Sequence, residues 1–89
     1  MKMAEAVKCV GKYHAVNKYL NSLDKNEILT NVEIETKTGV SSDNARHILE
    51  RKYKNGEVFK ISVTGKIFYA LDRGVAQKFA DIVGGKIDN

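Results

Sequence analysis

The chain has 89 residues, enough for one domain whose single core buries roughly 60–65% of the unfolded chain's surface, and too few for a second domain. Hydrophobic residues make up 43% and charged residues 29%, with three Phe and four Tyr, which excludes a disordered chain and fits an ordinary globular one. Fifteen Lys and Arg against eleven Asp and Glu leave a net charge of +4, a balance that points toward a polyanionic partner.

Apolar residues at Tyr13, Val16, Leu20 and Leu23 step by three, four and three and define one face of a first helix over about 12–24. Val7 and Val10 keep that spacing further back, but Gly11 costs about 1 kcal/mol inside a helix and leaves a short strand or a frayed turn open before it. Asp24, Lys25 and Asn26 break the pattern ahead of a small apolar cluster, Ile28 and Leu29. Thr30 or Asn31 then offers a capping oxygen, and Glu33 and Glu35 place negative charge at the positive end of a second helix over 31–38. Gly39 stands where a left-handed terminating residue is needed, and Val40 folds back on the helix just ended.

Ser41 or Ser42 caps a third helix whose apolar positions Ala45, Ile48, Leu49 and Tyr53 run at helical spacing and which Asn55 and Gly56 close. Beyond Gly56 the period changes: Val58, Phe59, Ile61 and Val63 answer Ile67, Phe68, Tyr69 and Leu71 across Thr64-Gly65-Lys66, a β-hairpin over about 57–71. A hairpin with one buried side leaves Phe59 or Phe68 free to face outward. A last helix over about 72–83 starts at a capping Asp72, carries Val75, Phe79 and Ile82 on one apolar face, and stops at Gly84-Gly85. Lys86 to Asn89 reads as a frayed tail.

The order helix, helix, glycine turn, helix, hairpin, helix is that of a winged helix-turn-helix domain, and the residues carry the resemblance. Glu33-Ile34-Glu35-Thr36-Lys37-Thr38-Gly39-Val40-Ser41 resembles the turn signature of that superfamily, in which an apolar residue five places before the Gly packs inside and a Ser caps the recognition helix. Ala45 to Leu49 to Gly56 to Val58 resembles the recognition helix and its exit into the wing. The match covers residues 28–71. Two positions depart from it: Glu35 replaces a small apolar residue, and Lys52 stands where Leu is usual, with Tyr53 expected to fill the gap while the Lys52 stem snorkels. The resemblance implies an α+β, mainly α fold, with a three-helix core, a hairpin wing and a C-terminal helix in one domain.

Charge supports the same expectation independently. Residues 44–66, from within the third helix to the hairpin tip, hold Arg46, Arg51, Lys52, Lys54, Lys60 and Lys66 against Glu50 and Glu57, a net +4 equal to that of the whole chain. Neutralising phosphates there, with counterion release, is the usual source of affinity for nucleic acid. The outer face of the third helix carries Ser42, Asp43, Arg46, His47, Glu50 and Lys54, with Arg46 placed to read guanine and with an Arg46–Glu50 pair at i, i+4 spacing. The expected DNA-binding residues are Ser41, Ser42, Asn44, Arg46, His47, Arg51, Lys54, Lys60, Thr64 and Lys66.

The expected function is therefore sequence-specific binding of double-stranded DNA by a small transcriptional regulator resembling the MarR, ArsR and PadR types. Such regulators imply a homodimer, here through the first and last helices. The alternatives are a winged-helix protein-interaction module and a non-specific architectural DNA-binding protein. No catalytic constellation or glycine-rich phosphate loop is present, so no enzyme and no cofactor are expected. The lone Cys9, five residues from His14, reads as a small buried hydrophobe beside a half-buried helix residue, and no metal site is expected. No long apolar run exists, and the N-terminus carries Glu5 and Gly11 where a secretory core is apolar. The expected location is the cytoplasm, on the nucleoid when bound, with no membrane partner.

Overall fold

A computed structural model describes residues 3–88, with side chains from residue 11 to 88. Among these residues four helices and four short strands follow one another as α1 (Met3–Ser22), β1 (Ile28–Leu29), α2 (Asn31–Thr38), α3 (Ser42–Lys54), β2 (Phe59–Val63), β3 (Lys66–Ala70), α4 (Arg73–Val83) and β4 (Lys86–Asp88). The fold is α+β and mainly helical, with one antiparallel sheet in the order β1-β3-β2-β4.

α1 starts well before Tyr13 and runs through Gly11, so the cost of an interior glycine is outweighed by packing further along the same helix. Val16 and Leu20 are buried there, with Tyr13, Tyr19 and Leu23 half-buried beside them. Val7, Cys9 and Val10 belong to the stretch whose side chains are not described. His14, read as half-buried, is exposed.

The ends of α2 and α3 follow from local chemistry. Thr30 Oγ1 accepts the Glu33 N–H at 3.1 Å and starts α2; Gly39, at φ 77°, ends it in the left-handed region and donates its N–H to the Glu35 carbonyl. Ser41 Oγ accepts the Asn44 N–H at 3.3 Å and starts α3. Two α2 side chains clip that start in place: Glu35 Oε2 accepts the Ser42 N–H at 2.8 Å, and Asn31 Nδ2 donates to the Ser42 carbonyl at 3.3 Å. Glu35 thus meets an N–H that the helix itself leaves without a partner, with its charge at the positive end of α3.

The sheet is wider than a hairpin. β1 pairs with β3 through Ile28 opposite Ala70 and Leu29 opposite Tyr69. On the far side β4 pairs with β2 through Ile87 opposite Ile61, and Ser62 Oγ donates to Asp88 Oδ2 at 2.8 Å. The segment read as a frayed tail is therefore an edge strand, Asn89 alone lying outside the described residues. Gly85 makes the close approach possible: a Cβ there would stand 2.7 Å from Val63 Cγ2 and 2.8 Å from the Ser62 carbonyl oxygen.

Helices cover both faces of the sheet, which corrects the expectation of one buried side. On one face Tyr69 joins Val16, Leu20, Leu29, Ile34, Val40, Ala45, Ile48, Leu49 and Val58 in the core of α1, α2 and α3. On the other, Ile61 and Ala70 pack with Ala76 and Ala80 of α4, and Phe59 and Phe68 join them instead of facing outward. The Phe68 and Phe79 rings meet edge to face at 5.2 Å between centroids. Val75, Ala76, Phe79 and Ala80 form the face of α4 against the sheet, while Ile82, at the same helical spacing, is 83% exposed. α4 thus packs Val75 and Phe79 on its own sheet and leaves Ile82 and Val83 exposed. No helix among the described residues is long and apolar enough to cross a membrane.

Candidate functional site

α3 presents its buried stripe, Ala45, Ile48, Leu49 and Lys52, to the core, and its other side to solvent. Lys52 takes the core-facing position itself at 8% exposure, and Tyr53 is half-buried. The Lys52 ammonium lies 5.5 Å from the Tyr13 ring centroid and 3.8 Å from Glu57 Oε1, so its stem packs in the core while its charge meets a π face and a carboxylate.

Lys60 is also withdrawn. Its Nζ stands 2.7 Å from Glu50 Oε1 and 5.4 Å from the Tyr53 ring centroid, and the buried Tyr69 hydroxyl donates to the same Glu50 oxygen at 2.7 Å. This knot ties β2 and β3 to the middle of α3. The Lys60 hydrogen bond holds the Glu50 carboxyl below its ordinary range despite partial burial, and Glu50 in turn raises Lys60. Burial first, and the Glu50 carboxylate second, push the Tyr69 phenol well above its ordinary range. The expected Arg46–Glu50 pair therefore does not form. Arg46 Nη2 instead bonds Asp43 Oδ1 at 2.9 Å, and His47 Nε2 lies 3.6 Å from Asp43 Oδ2. The Arg46 hydrogen bond holds the Asp43 carboxyl below its ordinary range.

These pairings sort the charge of residues 44–66. Its two acids, Glu50 and Glu57, are the partners of its two withdrawn lysines, Lys60 and Lys52. Arg46, Arg51, Lys54 and Lys66 remain exposed, and among the described residues only Arg46 of these four has a carboxylate partner. Of the expected site residues, Arg46, His47, Arg51 and Lys54 share the exposed side of α3, with Asn44 half-buried next to them. Ser41 Oγ and the Ser42 N–H are engaged in the α2–α3 turn. Lys60 is turned back toward α3, so the charge it was expected to offer a ligand is already paired.

Thr64 and Lys66 are exposed at the hairpin tip. Thr64 there takes a positive φ of 42° and Gly65 a φ of 82°, the hand that a two-residue hairpin turn needs. Lys66 shares a shallow cleft with Thr30, Asn31, Val32, Ile67 and Phe68.

Lys12 of α1 was not anticipated. It faces Asn44, His47 and Arg51 across a groove of about 240 Å³, with Tyr13 and Ile48 completing the lining. Nothing in the local sequence marks it, because the placement depends on how α1 docks on α3. No three His, Cys, Asp or Glu side chains among the described residues come together as a metal site would need. No protein-family model, curated protein or solved structure matches the chain.

Proposed function

We propose that this protein binds double-stranded DNA in a sequence-specific manner, as a small transcriptional regulator of winged-helix type, with α3 in the major groove and the β2–β3 hairpin against the backbone or in the minor groove. The observation that carries the reading is the sorting of charge around α3. The chain buries or pairs the two lysines that its own carboxylates can neutralise, and leaves Arg46, Arg51, Lys54 and Lys66 exposed on α3 and the adjoining hairpin. An exposed helix bearing Arg, His and Asn side chains matches the groove's pattern of base-edge acceptors and flanking phosphates. Fixing the hairpin to α3 through Glu50, Lys60 and Tyr69 sets the angle at which the two elements meet a duplex.

Selection from a pool of random duplex DNA at two salt concentrations tests this. Enrichment of a defined site is expected, with Arg46→Ala relaxing the preference at a cost of about 1–3 kcal/mol. Lys66→Ala is expected to weaken all sequences alike and to lower the salt slope by about one. A two-fold symmetric site with half-sites about one helical turn apart is the signature of a homodimer, and a single half-site that of a monomer. Salt-sensitive binding with no enriched site would replace specific regulation by architectural binding. Absence of binding at low salt would turn the exposed face over to a protein partner.

A further inference from the structure

The groove between α1 and α3 differs in kind from the convex face of α3. Its floor is apolar: Ile48 is 8% exposed and Tyr13 is half-buried, the Tyr13 ring already carrying the Lys52 ammonium. Its rim is basic and polar, with Lys12 from one helix and Asn44, His47 and Arg51 from the other, and no carboxylate among the described residues lines it. Lys12 and Arg51 only donate hydrogen bonds, so a complementary ligand must be rich in acceptors. At about 240 Å³ the groove is smaller than the pockets that enclose whole organic molecules, and it suits a short stretch of a longer ligand. A nucleic-acid strand has the required alternation, because each anionic phosphate is followed by a sugar whose C–H surface packs on apolar side chains.

Building on the DNA reading, we propose that one sugar–phosphate strand of the duplex runs along the α1–α3 groove, its phosphate held by Lys12 and Arg51 and its sugar lying over Tyr13 and Ile48. α1 is then part of the interface, and Lys12 adds a phosphate contact outside the third helix and the hairpin.

The test is the affinity of the full chain for random-sequence duplex at 50 and 200 mM salt, for the unmodified protein and for Lys12→Ala, Lys12→Arg and Lys18→Ala. Lys18 is the charge control: it is exposed on the same helix but lines a different cleft, with Ala15, Tyr19, Ser22, Lys37 and Thr38. Lys12→Ala is expected to remove one contact from the salt slope, so that its deficit against the unmodified protein shrinks about 3.5-fold between the two salt concentrations. Lys12→Arg is expected to keep the unmodified slope, and Lys18→Ala to change it by far less than Lys12→Ala. An unchanged slope in Lys12→Ala, or equal losses in Lys12→Ala and Lys18→Ala, overturns the proposal while leaving the DNA reading intact. Failure of the unmodified protein to bind duplex removes both.

Discussion

Among the described residues, Asp43 is the one acid bonded to the exposed basic side chains of α3, and it engages Arg46 at 2.9 Å. The pair pre-orients the guanidinium, yet it sets a negative charge on the face proposed to meet phosphates. Asp43→Asn is expected to tighten DNA binding by up to about fivefold, the scale of one exposed ion pair, in equilibrium titrations at low salt. A weaker complex would show that pre-orientation of Arg46 by Asp43 outweighs the repulsion between the carboxylate and phosphate. Thr64 raises a different question, because a β-branched residue at φ 42° is strained. Thr64→Asn, which tolerates that backbone, is expected to stabilise the protein by about 1 kcal/mol and raise Tm by roughly 4–8 °C. A lower Tm would refute the left-handed turn.

Among the elements, α2 and α3 were legible in sequence because their ends depend on neighbours a few residues away: Thr30 with Glu33, Ser41 with Asn44, and Gly39 after the last turn. β1 and β4 were not. Each has only two or three residues, too few for a period to register, and each exists through a partner strand distant in sequence. Ile28, Leu29 and Ile87 are apolar, which signals burial without saying against what. The docking of β4 depends on Gly85, so Gly85→Ala is expected to cost about 1–3 kcal/mol through overpacking. Hydrogen exchange gives the sharper readout: amides of Lys86–Asp88 are expected to lose protection while those of α2 and α3 keep theirs. Unchanged protection in β4 would mean that the approach has slack.

At the scale of the whole molecule, Glu50 links the helical core to the sheet. Its carboxyl is depressed in the native state, so the stability it contributes is full above the ordinary glutamate range and is lost as pH falls through the native value below that range. Glu50→Gln is expected to lose about 2 kcal/mol at neutral pH and to flatten the acid limb of the stability profile, measured by denaturant melts at several pH values. An acid limb as steep as that of the unmodified protein would assign acid sensitivity to other carboxylates. Lys60, raised by the same pair, acts at the opposite extreme: its contribution is complete below the ordinary lysine range and falls away as pH rises through the native value above it.

This knot also marks the limit of what the candidate site shows in sequence. The excess charge of residues 44–66 can be counted in the chain, but which lysines carry it to the surface depends on contacts between elements. Lys60 faces α3, Lys52 enters the core, and Lys12 arrives from a helix far away in sequence. Arg46 had acids at both i−3 and i+4, and the contact of Lys60 with Glu50 accompanies its pairing with Asp43.

The most direct test of α3 as the nucleic-acid interface is to follow the backbone amide resonances of the full chain during titration with a short duplex at low salt. The expected result is a set of salt-sensitive shifts at residues 43–54 of α3, at Thr64–Lys66 and around Lys12, with α4 little changed. Shifts centred on α4 and the exposed Ile82, or no shifts at all, would contradict it.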